Sequence, residues 1–301
     1  MTAQAGIYRD TWPAHWFGHF ALVDPRRDTG WRRVLLDAVE LADDQPQATA
    51  VFAFGAAGWA ALDPRPDELP SQLRPLEPIR GADGRTMPAT QEDLFVWVQG
   101  ARPDHVLAYV LELRALLLPH ATLARETIGH VHLDHRDLTG FEDGTANPVG
   151  DERPGVAQIP DGQPGAGGSY VLGQRWVHDL ERWATLVVAE QEQVIGRTKA
   201  TNLELDPHPV GSHLDRVVIE DADGEEEAIY RRSVPYGGYG EHGLYVLAFT
   251  GDLRIIDEML HRMFGAAEDG RHDRLTDVTQ PVSGAYYFAP TTELLRAVLS
   301  R

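Results

Sequence analysis

Residues 242–250 read His-Gly-Leu-Tyr-Val-Leu-Ala-Phe-Thr, and the fold hinges on what this stretch can pack against. Tyr245, Leu247 and Phe249 alternate with Val246, Ala248 and Thr250, yet both sets are largely apolar. A strand with one wet face alternates apolar with polar residues, so this one is predicted to be central and covered on both faces. Helices on one side and another sheet or a cofactor on the other would satisfy it.

Around it the second half offers a strand at 169–179, a helix near 180–195, strands at 217–220 and 227–234, a helix at 253–264 and a strand at 284–290. Asp252 is placed to cap that second helix and Gly265 to stop it. The first half repeats the order: strand 16–23, a helical region near 26–43, strands 48–54 and 93–100, a helix near 103–119, and strand 128–135. In the helix near 103–119, Val106, Leu107, Val110, Leu113 and Leu117 recur at helical spacing, and Pro103 suits its first turn. Residues 60–91, carrying Pro, Asp and Arg, are predicted to be a surface insertion. Each half thus reads β-α-β-β-α-β in an α+β chain, with a Pro/Gly/Asp-rich crossing at 148–168 between them. The halves divide as 1–149 and 150–301, a duplication of one sandwich type with little shared sequence.

A chain of 301 residues with 46 acidic and 27 basic side chains has a formal charge of -19, which repels polyanions and argues against nucleic acid as a partner. With no cysteine it has no disulfide, thiolate nucleophile or cysteine-held iron–sulfur cluster, and histidine is left as the strong protein ligand for a haem iron. The N-terminal MTAQAGIYRDTWPAHW has neither a basic nor an apolar leader pattern, and no run approaches the ~18 apolar residues of a membrane span. A cytoplasmic protein without a membrane partner is expected. GxGxxG after a strand, GxxxxGK[ST], HExxH and GxSxG are all absent.

Three segments carry chemistry. Gly140-Phe141-Glu142-Asp143-Gly144-Thr145-Ala146-Asn147-Pro148 sets a carboxylate between glycines, Gly211-Ser212-His213-Leu214-Asp215-Arg216 supplies an imidazole, and Tyr230-Arg231-Arg232-Ser233 a guanidinium. Together they hold the inventory of a haem peroxidase site. Asp143 can move a proton between peroxide oxygens, Arg231 can stabilise charge where the O–O bond breaks, and His213 can reach iron with one ring nitrogen while the other donates to Asp273 or Asp277. Each residue also has a plainer reading: a turn aspartate, a satisfied structural histidine, a solvated arginine pair on an edge strand. Arg231 and Arg232 point to opposite faces of a strand, so one enters a given pocket, with Ser233 on the other face unless the strand bends. Arg197 and Lys199 end a helix, where they suit haem propionates or the helix C-terminus alone. Trp176, Trp183, Tyr245, Tyr286 and Tyr287 are read as core rather than as radical carriers.

The ordered set RDLTGFEDGTANP, GGSYVLGQRW, EQEQVIGRTK, SHLDRV, RRSVPYG, HGLYVLAF and SGAYYFAP resembles the dye-decolorising peroxidase family, especially its compact bacterial branch. The resemblance spans nearly the whole chain, from AGIYRD to TQPVSGAYYFAP. It implies two tandem ferredoxin-like modules with antiparallel sheets, of the dimeric α+β barrel type. Module 1–149 would carry the distal GxxDG loop, Gly140 to Gly144, and module 150–301 would bind one heme b per chain. His213 becomes the axial iron ligand, Asp143 the distal acid–base residue, and Arg231 the distal cation beside the cofactor. Ser233 stands where some members have Asn and others Ser; Asn147 and Arg197 fall near the propionates; Asp273 is the preferred partner of His213, with Asp277 its rival. The implied reaction reduces hydrogen peroxide while oxidising dyes, phenols or other small one-electron donors, bulky ones at the haem edge or surface. A homo-oligomer is expected, free in the cytoplasm rather than packaged. Two other readings stand beside it: a protein that handles haem or releases its iron, and a cofactor-free binding module. Chlorite-decomposing enzymes match less well, because Asp143 within GxxDG fits the dye-decolorising pattern.

Overall fold

The computed structural model describes residues 2–27 and 30–301. Its first half comprises β1 (Ala14–Leu22), α1 (Gly30–Asp44), β2 (Ala48–Phe54), α2 (Ala56–Ala60), a small hairpin of β3 (Ile79–Arg80) and β4 (Thr86–Met87), β5 (Leu94–Gly100), α3 (Pro103–Leu117) and β6 (Ala121–His130). The second half comprises α4 (Glu152–Ala157), β7 (Ser169–His178), α5 (Leu180–Thr185), α6 (Val188–Ile195), α7 (His213–Val217), β8 (Tyr230–Arg231), β9 (Val234–Gly237), β10 (His242–Thr250), α8 (Leu253–Met263), β11 (Thr279–Pro281), β12 (Ala285–Ala289) and α9 (Thr292–Leu299). No described helix is long and apolar enough to cross a membrane.

In the first half the strands lie in the order β6-β1-β5-β2, and in the second β12-β7-β10-β9, all antiparallel. This is the ferredoxin-like α+β arrangement twice over. Two single-pair contacts, Phe288 with Phe54 and Gly129 with Tyr236, join the sheets at their edges, so eight strands close into a barrel. Closure leaves few free sheet edges to pair with another chain.

Period two decides what each strand face does. Phe17, Phe95 and Trp97 from one sheet meet Tyr245, Leu247, Phe249 and Tyr287 from the other inside the barrel, where Phe17 and Tyr245 stack with ring centres 3.8 Å apart. Within that interior the His19 imidazole is hydrogen-bonded at both nitrogens, to Tyr287 and Tyr245 hydroxyls, each at 2.8 Å. Burial pulls its pKa down to about 3, so it sits there neutral. On the outside of the first sheet, α1 and α3 bury Trp31, Leu35, Val106, Tyr109 and Leu113. Val246 and Ala248 face outward from β10 beneath a cavity, so this strand is covered on both faces.

Several local expectations need correction. The helix expected over 180–195 breaks after Thr185, because Leu186 and Val187 are extended and the Glu190 carboxylate accepts from Val187 N–H at 3.0 Å to start a new helix. Residues 217–220 are no strand: Val217 closes α7, and Glu220 makes only an isolated bridge to Glu226. The last strand of the first half begins at Ala121, seven residues before the expected start. Residues 60–91 are also more than a surface insertion, since Leu62, Leu76, Ile79 and Met87 are core residues.

Candidate active site

A cavity opens between the outer face of the second sheet and helices α7 and α8, with about 1560 Å³ of open space counting its mouth. Leu172, Gln174, Trp176 and His178 of β7 share one face at period two, and Leu244, Val246 and Ala248 of β10 share the next. They form a mostly apolar floor. Leu214 and Val217 of α7, with Ile256, Leu260 and Met263 of α8, form the opposing wall.

From the helix wall comes His213, the first residue of α7. Ser212 caps that short helix by accepting from Asp215 N–H at 3.2 Å, which fixes the backbone that carries the imidazole. His213 Nδ1 lies 2.7 Å from Asp273 Oδ2, and the Asp273 side chain is fully buried. The other Asp273 oxygen accepts from Leu275 N–H at 2.8 Å, so a tight turn holds this carboxylate in one orientation. A carboxylate at Nδ1 favours the proton there and leaves Nε2 with its lone pair available, on a residue that lines the cavity. Asp277 pairs instead with Arg85 and lies 3.5 Å from His272, so it is not the partner of His213.

Facing them is the loop from 136 to 148. Phe141 packs edge-on against Trp183, whose indole donates to Thr139 O at 3.0 Å; this apolar anchor pins the loop's stem. Asp143 Oδ1 accepts from Gly144 N–H at 2.7 Å and lies 3.5 Å from Arg231 Nη1, leaving Oδ2 outside both contacts. Gly144 has a φ of 75°, which only glycine adopts without strain, and the turn it permits brings Asn147 back to β8. There the Asn147 amide accepts from Arg231 N–H and donates to Arg231 O, both at 2.8 Å. That side chain imitates a neighbouring strand and locks loop to strand. Its amide is committed to the backbone of Arg231, and it is not among the cavity-lining residues.

Ser233 lines the cavity together with Arg231, while Arg232 is buried against the barrel interior. Residues two apart on an extended strand share a face, so the expectation that Ser233 would turn away is corrected. Its Oγ also accepts from Leu247 N–H at 3.4 Å. Arg197 lines the mouth but is already engaged, donating to Asn202 O at 3.1 Å and pairing with Glu204.

Comparison with known proteins agrees with this arrangement over most of the chain. The family model described as "Dyp-type peroxidase, C-terminal" matches residues 134–294. A dye-decolorizing peroxidase of Mycobacterium tuberculosis is 34% identical over 266 residues, 87% of this chain and 78% of that protein. The chain belongs to the dye-decolorising peroxidase family. Among solved structures, a dye-decolorizing protein from V. cholerae superposes with a TM-score of 0.90 at 32% identity, over 98% of this chain and 99% of that one. A variant of DypB from Rhodococcus jostii RHA1 in complex with heme gives 0.88 at 30% identity, over 98% and 97%. This bacterial family member is thus a haem peroxidase, acting on hydrogen peroxide and a reducing substrate.

One polar pair of this peroxidase was missed in the sequence. His178, on the cavity face, binds Thr279 Oγ1 at 2.6 Å and Asp137 Oδ1 at 3.0 Å. Burial alone would raise the Asp137 pKa, but hydrogen bonds from His178 and Thr139 outweigh it and hold the carboxyl below its usual range. The available signal was period two: His178 continues the face of Leu172, Gln174 and Trp176.

Proposed function

We propose that His213 is the axial ligand of a single b-type haem, and that Asp143 and Arg231 carry the peroxide chemistry on its far side. The single supporting observation is the opposition across one apolar slot. A carboxylate-oriented imidazole stands on the helix wall, 2.7 Å from its aspartate, and an aspartate–arginine pair at 3.5 Å stands on the other side. The slot fits a flat macrocycle: apolar side chains of β7 and β10 lie below and of α7 and α8 above, with one leftover imidazole nitrogen as the strong donor. When bound, the haem would supply the iron at which peroxide is reduced and the two electrons for that reduction, which one-electron donors would then replace.

The protein's own contribution is proton and charge handling. Asp143 Oδ2, free of the contacts that hold Oδ1, takes the proton from the nearer peroxide oxygen and returns it to the farther one, which leaves as water. Arg231 donates toward the oxygens as negative charge gathers during O–O cleavage. Ser233, on the same strand face, orients what occupies the distal space. Arg197 reaches a propionate by exchanging its partner Glu204. In a division into modules 1–149 and 150–301, the second supplies the floor, the helix wall, His213 and Arg231, and the first contributes the Asp143 loop. Homo-oligomeric assembly and a cytoplasmic location complete the proposal; a cysteine-free chain draws nothing from an oxidising compartment.

Stopped-flow absorption after mixing the haem-loaded protein with peroxide tests the assignment. The wild type is expected to change spectrum rapidly and to return when a one-electron donor is added, with Asp143→Ala slowed by ~10²-fold or more. Equal rates in both proteins would remove Asp143 from the mechanism.

A further inference from the structure

The excursion between β2 and β5 reaches the turn that follows α8. There its β3–β4 hairpin docks on the segment 264–277, which carries Asp273. Gly81 comes so close to Phe264 O that an added Cβ would lie 1.8 Å from it, and Ala82 N–H donates to Gly265 O at 3.4 Å. The hairpin presents Arg85, whose own carboxylate Asp83 accepts from its Nε at 2.7 Å and aims the guanidinium. Nη1 then donates to Thr276 O at 3.0 Å and to Thr276 Oγ1 at 3.1 Å, while Nη2 pairs with Asp277. Thr276 in turn donates through Oγ1 to Asp273 O at 2.6 Å and through its N–H to the same oxygen at 3.0 Å. Asp273 is the cap of that turn and the partner of His213.

From this chain of contacts we infer that Arg85 is a positioning residue for the proximal histidine, acting through Thr276 and Asp273. The inference rests on His213 being the iron ligand. Arg85 ties down the end of the turn whose start holds Asp273. With the turn closed, Asp273 Oδ1 stays on Leu275 N–H and Oδ2 stays on His213 Nδ1, which keeps the imidazole electron-rich. The rest of the network narrows the role. His272 contacts Asp83 at 3.2 Å and Asp277 at 3.5 Å but not Asp273, so the charges around Arg85 act on the turn and not directly on the imidazole. A planar fork that serves a carbonyl, a hydroxyl and two carboxylates at once is a task that lysine, with its single ammonium, performs only in part.

The test uses the haem-loaded full chain with Arg85→Gln, Arg85→Lys and Asp273→Asn, read by the iron–histidine stretching band in resonance Raman and by the iron reduction potential. Asp273→Asn is expected to lower the stretching frequency and raise the potential. Arg85→Gln is expected to move both the same way by a smaller amount, and Arg85→Lys to recover part of the shift. Should Arg85→Gln fail to fold, Thr276→Val breaks the same chain one link later and is expected to shift both readings likewise. If Arg85→Gln or its Thr276→Val substitute leaves both readings at wild-type values while Asp273→Asn moves them, Arg85 is a scaffold residue only and the inference is overturned, even if melting temperature falls. If Asp273→Asn also moves neither reading, the assignment of His213 fails instead.

Discussion

Arg231 and Arg232 are neighbours in sequence with opposite surroundings. Arg232 points into the barrel, donates to Ile7 O at 2.7 Å, to Arg9 O and to Gln99 Oε1 at 3.3 Å, and lies 5.0 Å from the centre of the Trp97 ring. Burial lowers its pKa, although a guanidinium remains a cation there. Arg231 faces the cavity and meets Asp143 at 3.5 Å, longer than a hydrogen bond, with its backbone rather than its side chain held by Asn147. A side chain whose donors are saturated braces the fold; one held through its backbone keeps donors for a ligand. The same contrast divides the two faces of β10: inside the barrel Tyr245 is paired with His19, and outside, Val246 and Ala248 leave an apolar floor.

Substituting each arginine in turn should separate the two roles. Arg232→Ala strands three acceptors, two of them buried, and empties space over Trp97, so unfolding free energy in denaturant is expected to fall by about 3 kcal/mol or more. Arg231→Leu should change stability by less than ~1 kcal/mol yet slow the reaction with peroxide by ~10²-fold. Similar stability losses in both would erase the distinction. Acid should sharpen it. His15 and His19 lie in the interior with pKa values pulled to about 3 from 6.5, in both cases chiefly by burial, with Arg232 adding to the effect on His15. Below pH 6.5 the unfolded chain takes up protons that the folded one refuses, so stability is lost as pH falls from 6.5 toward 3, by up to about 1.4 kcal/mol per pH unit for each histidine. Denaturation at pH 7, 6 and 5 samples this window mostly before carboxylates titrate, and a flat profile would contradict the burial assigned to them. The smallest effect belongs to the lock. Asn147→Ala frees the loop from β8 and should slow peroxide reaction about tenfold, less than Arg231→Leu, with Asn147→Asp between wild type and Asn147→Ala because a carboxylate accepts but cannot donate.

The repeated β-α-β-β-α-β order was legible because strands and helices bury different periods, and 242–250 declared two covered faces before either neighbour was known. The motif-bearing segments likewise pointed to Asp143, His213 and Arg231, which the structure brings to one cavity. What stayed hidden depends on long-range partners. Asp273 and Asp277 flank one turn, and only the direction of each carboxylate separates the neighbour of His213 from the neighbour of Arg85. The lock made by Asn147 was hidden because a side-chain amide bonded to the backbone of a residue 84 positions away leaves no local signal. Residues 60–91 looked superficial because their apolar residues are scattered, yet they bury Met87 and deliver Arg85 to the turn below His213.

The most direct test of the central claim is ferric haem titrated into wild type and His213→Ala, followed by electron paramagnetic resonance and absorption, with added imidazole as rescue. The account expects one haem per chain with a histidine-ligated ferric signature in the wild type, loss of that signature in the variant, and its return when imidazole fills the space left by the side chain. An unchanged axial-ligand signature in His213→Ala would contradict it, and would place the iron on another residue.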